Sequence, residues 1–271
     1  MSLAEPAPAL YLPLTDESSA ASLLPYPKTR RSAMRPDGGD TVDKLVVFLA
    51  KRDGIDKLVK TFQYVAKLVH HRADPARPSL ARRAKLWEIS AGLSRKAFRV
   101  GRFLTGFNAL RRLPGPTLPI RILAVLANAG EMVYFFFDHF LWLARAGVLD
   151  PSLSRRLSFV SAFGEAFGYV FFILLDLIAI RKGLIEQRRL ASEKKNPAAA
   201  AEDERDRRNK EREKAIGIER VMRMMGIAAN VADLIIAIAD IEPNPFCNHE
   251  VTLGISGLVS AWAGWYRNWP T

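Results

Sequence analysis

The chain has 271 residues, enough for one or two domains with a sizeable core. Its 40 Lys and Arg against 28 Asp and Glu give a net charge of +12 and a pI of about 10.0, a balance that favours a polyanion, either nucleic acid or the anionic face of a bilayer. The lone cysteine, Cys247, excludes an intrachain disulfide and argues against a bridge-stapled secreted fold.

Mean hydropathy is zero, but that average hides segregation of charged from apolar stretches, the pattern of a membrane protein with charged flanks. Residues 1–39 are rich in Pro, Ala and Ser without period and are expected as a disordered tail. Gly38-Gly39 closes it, and Asp40 or Thr41 is expected to cap a helix over 41–71, bent near Gly54. In its second part Ile55, Leu58, Val59, Phe62, Val65, Ala66 and Val69 recur at helical spacing, with Asp56, Lys57, Lys60, Gln63 and Lys67 opposite.

A more basic helix is expected over 80–112. Leu86, Ile89, Leu93, Val100, Leu104 and Phe107 fall in one arc, Arg95, Arg99 and Arg102 line a flank, and Lys85 and Lys96 lie at the apolar edge, where long stems snorkel. Residues 120–143 form an imperfect spanning segment interrupted by Asn128, Glu131, Asp138 and His139. Residues 157–180 are the best span, about the ~20 residues a hydrocarbon core requires, bracketed by Arg155-Arg156 and Arg181-Lys182 and interrupted by Glu165 and Asp176. Residues 186–216 read as a charged linker or exposed helix of mixed sign. The apolar helices 221–241, with Asp233 and Asp240, and 251–266 form a C-terminal hairpin, closed by Trp262, Trp265, Tyr266, Arg267 and Trp269 in the manner of an interfacial belt.

Three features carry chemistry. The 80–112 helix either lies in a membrane surface with its arginines on lipid phosphates, or is a bundle helix with a solvated basic face. The acids at 131 and 138, 165 and 176, and 233 and 240 each share a helical stripe, as spacings of seven and eleven close nearly whole turns. Such stripes serve either a polar solute pathway or a bundle interior. Gly164 and Gly168 form a GxxxG, and Gly257, Ala261 and Gly264 line one face of the last helix; both suit either self-association or packing within the chain.

Catalysis is not supported. His70, His71, His139 and His249 lack zinc-ligand spacing, and no phosphate loop or nucleophile elbow is present, so no enzyme, metal or cofactor is expected. Nucleic acid is disfavoured as a partner because the arginines interleave with a wide apolar stripe. No signal peptide, Asn-x-Ser/Thr sequon or terminal Ser-Lys-Leu is seen, so any organelle address is expected to be internal.

Several stretches together carry a family likeness: Asp40-Thr41-Val42-Asp43-Lys44-Leu45, Arg52-Asp53-Gly54-Ile55-Asp56-Lys57 leading into Phe62-Gln63-Tyr64, and Ser94 through Phe103. Glu131-Met132-Val133-Tyr134-Phe135 with Asp138-His139 and Trp142-Leu143 extends it. In their order and spacing they resemble the peroxisomal membrane protein 11 family, plant members in particular, over about residues 40–271. The resemblance implies a multi-pass protein of the peroxisomal membrane, self-association into homo-oligomers, membrane elongation and recruitment of fission machinery. It also implies that the segment from Lys85 to Phe103 remodels membrane, and pore-like activity has been proposed for some relatives. The expected membrane-binding set is Lys85, Leu86, Leu93, Arg95, Lys96, Arg99, Val100, Arg102, Phe103 and Leu104, with anionic phospholipid as the partner.

The expectation is thus an all-α integral membrane protein with N-terminal amphipathic helices and a C-terminal apolar hairpin. Its boundaries are a tail over 1–39, amphipathic remodelling helices over 40–115, membrane helices over 116–185, a linker over 186–216 and the hairpin over 217–271.

Overall fold

A computed structural model describes residues 40–73, 75–112, 115–193 and 202–270. The expected tail, 1–39, lies outside them. Every regular element among the described residues is helical: α1 (Thr41–Leu49), α2 (Arg52–Arg72), α3 (Pro78–Phe98), α4 (Phe103–Arg111), α5 (Leu118–Arg145), α6 (Ser154–Glu193), α7 (Glu202–Ile241) and α8 (Glu250–Asn268), with a short 3₁₀ turn at Pro151–Leu153 before α6.

Local chemistry sets the ends. The Asp40 carboxylate accepts from the backbone N–H of Val42 and Asp43 at 2.8 and 2.9 Å, satisfying donors that the first turn of α1 leaves free. Pro78 and Pro119 sit in the first turns of α3 and α5, where a missing N–H costs nothing. His70, His71 and Arg72 close α2 on the side where the helix dipole favours cations.

Two expected helices are broken. The 41–71 helix divides at Ala50–Lys51, because α1 folds back onto α2: a Cβ at Gly54 would collide with the Phe48 carbonyl, so only glycine allows that approach. The 80–112 helix divides at Arg99–Arg102. Gly101 takes φ +79° there, and its N–H donates to Nε2 of His139 on α5 at 2.6 Å. The expected linker is largely helical, since α6 runs on to Glu193 and α7 begins at Glu202. An Ala/Glu/Arg/Lys composition has high helix propensity. Arg207 pairs with Glu211 one turn on at 3.4 Å, and Arg212 reaches Glu186 on α6 at 2.9 Å.

The helices close into a ring in which each is antiparallel to its neighbours: α2 packs on α8, α8 on α7, α7 on α6, α6 on α5, and α3 with α4 bridges α5 back to α2. Glycines make the tightest crossings. A Cβ at Gly130 would lie 2.6 Å from the Gly168 nitrogen and 2.8 Å from the Gly164 carbonyl, so α5 and α6 meet backbone to backbone. Gly254 and Gly257 on α8 receive Leu68 and Tyr64 of α2. The small-residue faces read from the sequence are therefore consumed within one chain. Phe48 stacks on Trp265 at 4.7 Å and lies 5.8 Å from Trp269, pinning α1 to the end of α8.

Three segments are long and apolar enough to cross a membrane: Leu118–Arg145, Pro151–Ser192 and Arg207–Ile241. The ring is apolar outside and charged inside. Phe159, Phe163, Phe167, Leu174 and Leu177 of α6 are exposed, as are Ile122, Phe136 and Phe140 of α5, Val231 and Ile238 of α7, and Ile255, Val259 and Trp262 of α8. An outer surface this apolar, continuous over several helices, suits hydrocarbon rather than water.

Candidate membrane interface and charged interior

The polar face of α2 points inward. Asp56 and Lys60 are 2% and 3% exposed, while Phe62, Val65 and Val69 on the other face are open. A charge this deep must be paired, because an isolated ion in a low-dielectric interior is prohibitively costly. Asp56 is met by Nε of Arg95 at 3.1 Å and Nε of Arg99 at 3.2 Å. Arg95 also donates to Oε1 of Gln63 at 2.8 Å, and Arg102 to Oδ1 of Asp53 at 2.5 Å. Arg99 donates to the Tyr134 hydroxyl, and Lys96 to the Asp138 carboxylate. The Arg102 guanidinium lies 4.8 Å from the Phe135 ring centre, a cation–π contact.

A second cluster lies between α2, α7 and α8. Lys60 Nζ donates to Oδ1 of Asp233 at 2.5 Å and to Oγ of Ser260 at 2.6 Å, and Ser260 donates to the other Asp233 oxygen at 2.6 Å. Farther along, Arg223 donates to Asp176 at 2.8 Å, joining α7 to α6. The Tyr169 hydroxyl donates to Glu165 at 2.9 Å. Between these groups lies a polar cavity of about 80 Å³, bordered by Asp56, Arg99, Glu131, Tyr169, Asp233 and Arg267 among others.

The expected membrane-binding residues thus divide. Leu86, Val100 and Leu104 face outward, with Leu86 and Leu104 58% and 56% exposed; Leu93 and Phe103 are half-buried, and Phe103 packs edge-on against Phe136 and His139. Arg95, Lys96, Arg99 and Arg102 turn inward onto carboxylates and Tyr134. Lys85 stays at the outer edge and shares Glu88 with Lys67, at 2.9 and 3.0 Å. Burial of Glu88 works to raise its pKa, but the hydrogen bonds from Lys85 and Lys67 outweigh it and hold the carboxyl below the usual range. The charge at this α2–α3 contact is therefore kept until the pH falls beneath the ordinary carboxylate value.

The acid stripes are resolved in the same way. Asp138, Asp176 and Asp233 meet cations, and Glu165 meets Tyr169, inside the ring. Asp240 alone of the six stays exposed. Sequence reasoning did not single out Asp53, Tyr169, Arg223 or Ser260 as members of this interior. For Asp53 a signal was present: it continues the Asp56–Lys57–Lys60 stripe by three- and four-residue steps. Ser260 carries no signal short of knowing that α2 lies against α8.

The model of the family described as peroxisomal biogenesis factor 11 matches residues 42–269. Peroxisomal membrane protein 11-4 of Oryza sativa, in its indica and japonica subspecies, is 68% identical over 234 residues, covering 86% of this chain and 99% of the relative. Peroxisomal membrane protein 11B of Arabidopsis thaliana is 65% identical over 232 residues, with the same coverage of each chain. A peroxisomal membrane protein 11 homolog of Dictyostelium discoideum is 28% identical over 257 residues, 87% of this chain and 97% of the relative. No solved structure matches the chain. The ring of helices with an apolar exterior and the match along nearly all its described length lead to one conclusion: the chain belongs to the peroxisomal biogenesis factor 11 family, a family of peroxisomal membrane proteins.

Proposed function

We propose that this protein is a multi-pass protein of the peroxisomal membrane that promotes elongation and proliferation of the organelle ahead of fission. The observation that carries the reading is the outward surface of α3 and α4. Leu86, Trp87, Ile89, Val100, Leu104 and Phe107 open to the outside on a helix pair that is not among the three spanning candidates. A kinked, apolar pair at the side of the ring acts as a wedge in the leaflet it occupies, and many such wedges favour curvature. Relatives that carry the name peroxisomal membrane protein 11 support the location.

Docking of α3 against α2 and α5 alters the mechanism expected from the sequence. Arg95, Arg99 and Arg102 are held by Asp56, Asp53 and Tyr134, so in this arrangement they do not meet phosphates. The exposed Arg82 and Arg83, with Lys85, remain at the headgroup edge for that role. Self-association then draws on outward faces such as the Phe159–Phe163–Phe167 ladder, because the GxxxG face is filled by α5. The fission machinery would meet assembled, curved patches.

Full-length protein reconstituted into anionic vesicles is expected to draw them into tubules visible by electron microscopy. Leu86→Glu, Ile89→Glu and Leu104→Glu together are expected to abolish tubulation while the protein stays in the vesicles. Tubulation undiminished by the three charges would overturn the wedge.

The polar cavity favours a second reading, passage of small solutes through the ring. A planar bilayer holding the protein would then conduct, with conductance altered by Glu165→Gln and Asp176→Asn. A silent bilayer counts against it.

A further inference from the structure

The outer face of the ring carries a groove of about 620 Å³ between α6, α7 and α8. Leu177 and Ile180 of α6 line one end and Ile255, Ser256 and Val259 of α8 the other, with α7 from Met224 to Ile235 running between them. The groove exists because α7 presents the small Ala228 and Ala232 between its larger residues. Its run along α7, from Met224 to Ile235, is about 16 Å at 1.5 Å per residue. That is close to half of a ~30 Å hydrocarbon core, the depth of one leaflet.

One end of the groove is cationic. Arg181 follows Ile180 directly and Leu177 by four residues, and Arg220 precedes Met224 by four, so both lie at the end of the groove that α6 lines. The contacts of Asp176 with Arg223, and of Gly183 with Ile216, set the register of α6 against α7 and bring Arg181 and Arg220 to nearly the same height. Arg181 is exposed and forms no ion pair among the described residues. Arg220 donates to Oε1 of Gln187 at 3.3 Å, leaving further donors free. The neighbouring carboxylates are engaged elsewhere: Glu219 with Arg223 at 3.2 Å, and Glu186 with Arg212 at 2.9 Å. Apolar length ending under two guanidiniums is complementary to a lipid, acyl chain below and phosphate above.

We propose that this groove is a site for one anionic phospholipid of the surrounding membrane, with an acyl chain against α7 and the phosphate between Arg181 and Arg220. The site lies away from the α3–α4 wedge and does not depend on it. The lipid ties α6, α7 and α8 together from outside, where no inner charge pair can reach.

The test is native mass spectrometry of the full-length protein in mild detergent, titrated with phosphatidylserine or phosphatidylcholine of identical chains. Wild type is expected to retain one phosphatidylserine in preference to phosphatidylcholine. Arg181→Gln is expected to weaken phosphatidylserine retention roughly fivefold, and Arg181→Gln with Arg220→Gln more than tenfold, leaving phosphatidylcholine unchanged. Ala228→Phe fills the groove and is expected to remove the bound lipid of either class. Equal retention of the two lipids by wild type overturns the proposal, as does an arginine double variant that holds phosphatidylserine as tightly as wild type. Should Ala228→Phe not fold, the arginine pair decides the matter alone.

Discussion

Asp56→Ala is expected to lower the melting temperature of the detergent-purified protein by roughly 10 °C, from a loss of about 3–5 kcal/mol. The size follows from what the substitution strands. Asp56 is 2% exposed and accepts from both Arg95 and Arg99. Without it, two guanidiniums remain in the ring, where their remaining partners are Gln63, Tyr134 and, at 4.0 Å, the Asp138 carboxylate that Lys96 already holds. Replacing both sides of a buried pair costs far less than replacing one. Asp56→Asn combined with Arg99→Gln is therefore expected to regain part of the loss. Asp43→Ala, at an exposed position in the first turn of α1, is the contrast and is expected to cost under about 1 kcal/mol. Thermal unfolding followed by circular dichroism separates the three. An Asp56→Ala protein melting within a degree or two of wild type would mean that the interior charges are hydrated well enough to stand alone.

The second large effect is expected at Gly130. An added Cβ would stand 2.6 Å from the Gly168 nitrogen, 2.7 Å from its Cα and 2.8 Å from the Gly164 carbonyl, and all three are backbone atoms that no rotamer change can move. Even Gly130→Ala forces α5 and α6 apart, and Gly130→Leu is expected to yield no monodisperse protein, overpacking here exceeding the usual 1–3 kcal/mol. Gly217→Ala carries the opposite sign. Nothing lies within 4 Å of its Cβ position, so the gain in helix propensity, about 1 kcal/mol or less, stands uncompensated. Size-exclusion profiles of the two variants side by side check both signs. If Gly130→Leu elutes as wild type does, the close α5–α6 crossing is wrong.

Helix positions were legible in the sequence wherever apolar period or length was strong. Leu86, Ile89, Val100, Leu104 and Phe107 of the expected arc face outward, with Leu93 half-buried, and the stretch Leu157–Ile180 lies within α6. The destination of the polar faces was not legible. A period of 3.6 shows that Asp56, Lys60, Arg95 and Arg99 oppose the apolar arcs, yet says nothing about whether water or a neighbouring helix receives them. That depends on partners distant in sequence, such as Asp233 for Lys60 and Asp138 for Lys96. The joint at Lys51 falls just before the bend expected near Gly54, whereas the joint at Gly101 was hidden. At each a glycine permits the close contact, Phe48 over Gly54 and His139 under Gly101 at φ +79°. In the 186–216 stretch charge density left linker and exposed helix open, and over its described parts high helix propensity and cross-pairs such as Arg212–Glu186 extend α6 and α7.

The stack of Phe48 on Trp265, with Trp269 tilted beside it, has a mechanical consequence. Helix bundles with loose ends fray from those ends inward, but here the first described helix is riveted to the last, so the assembly is a hoop without a free margin. Each aromatic contact adds about 0.5–1.5 kcal/mol beyond its area, and peeling of α1 from the end of α8 must overcome them. Opening is then expected where the ring is held most lightly, at the contact of α3 with α5, rather than at α1 or α8.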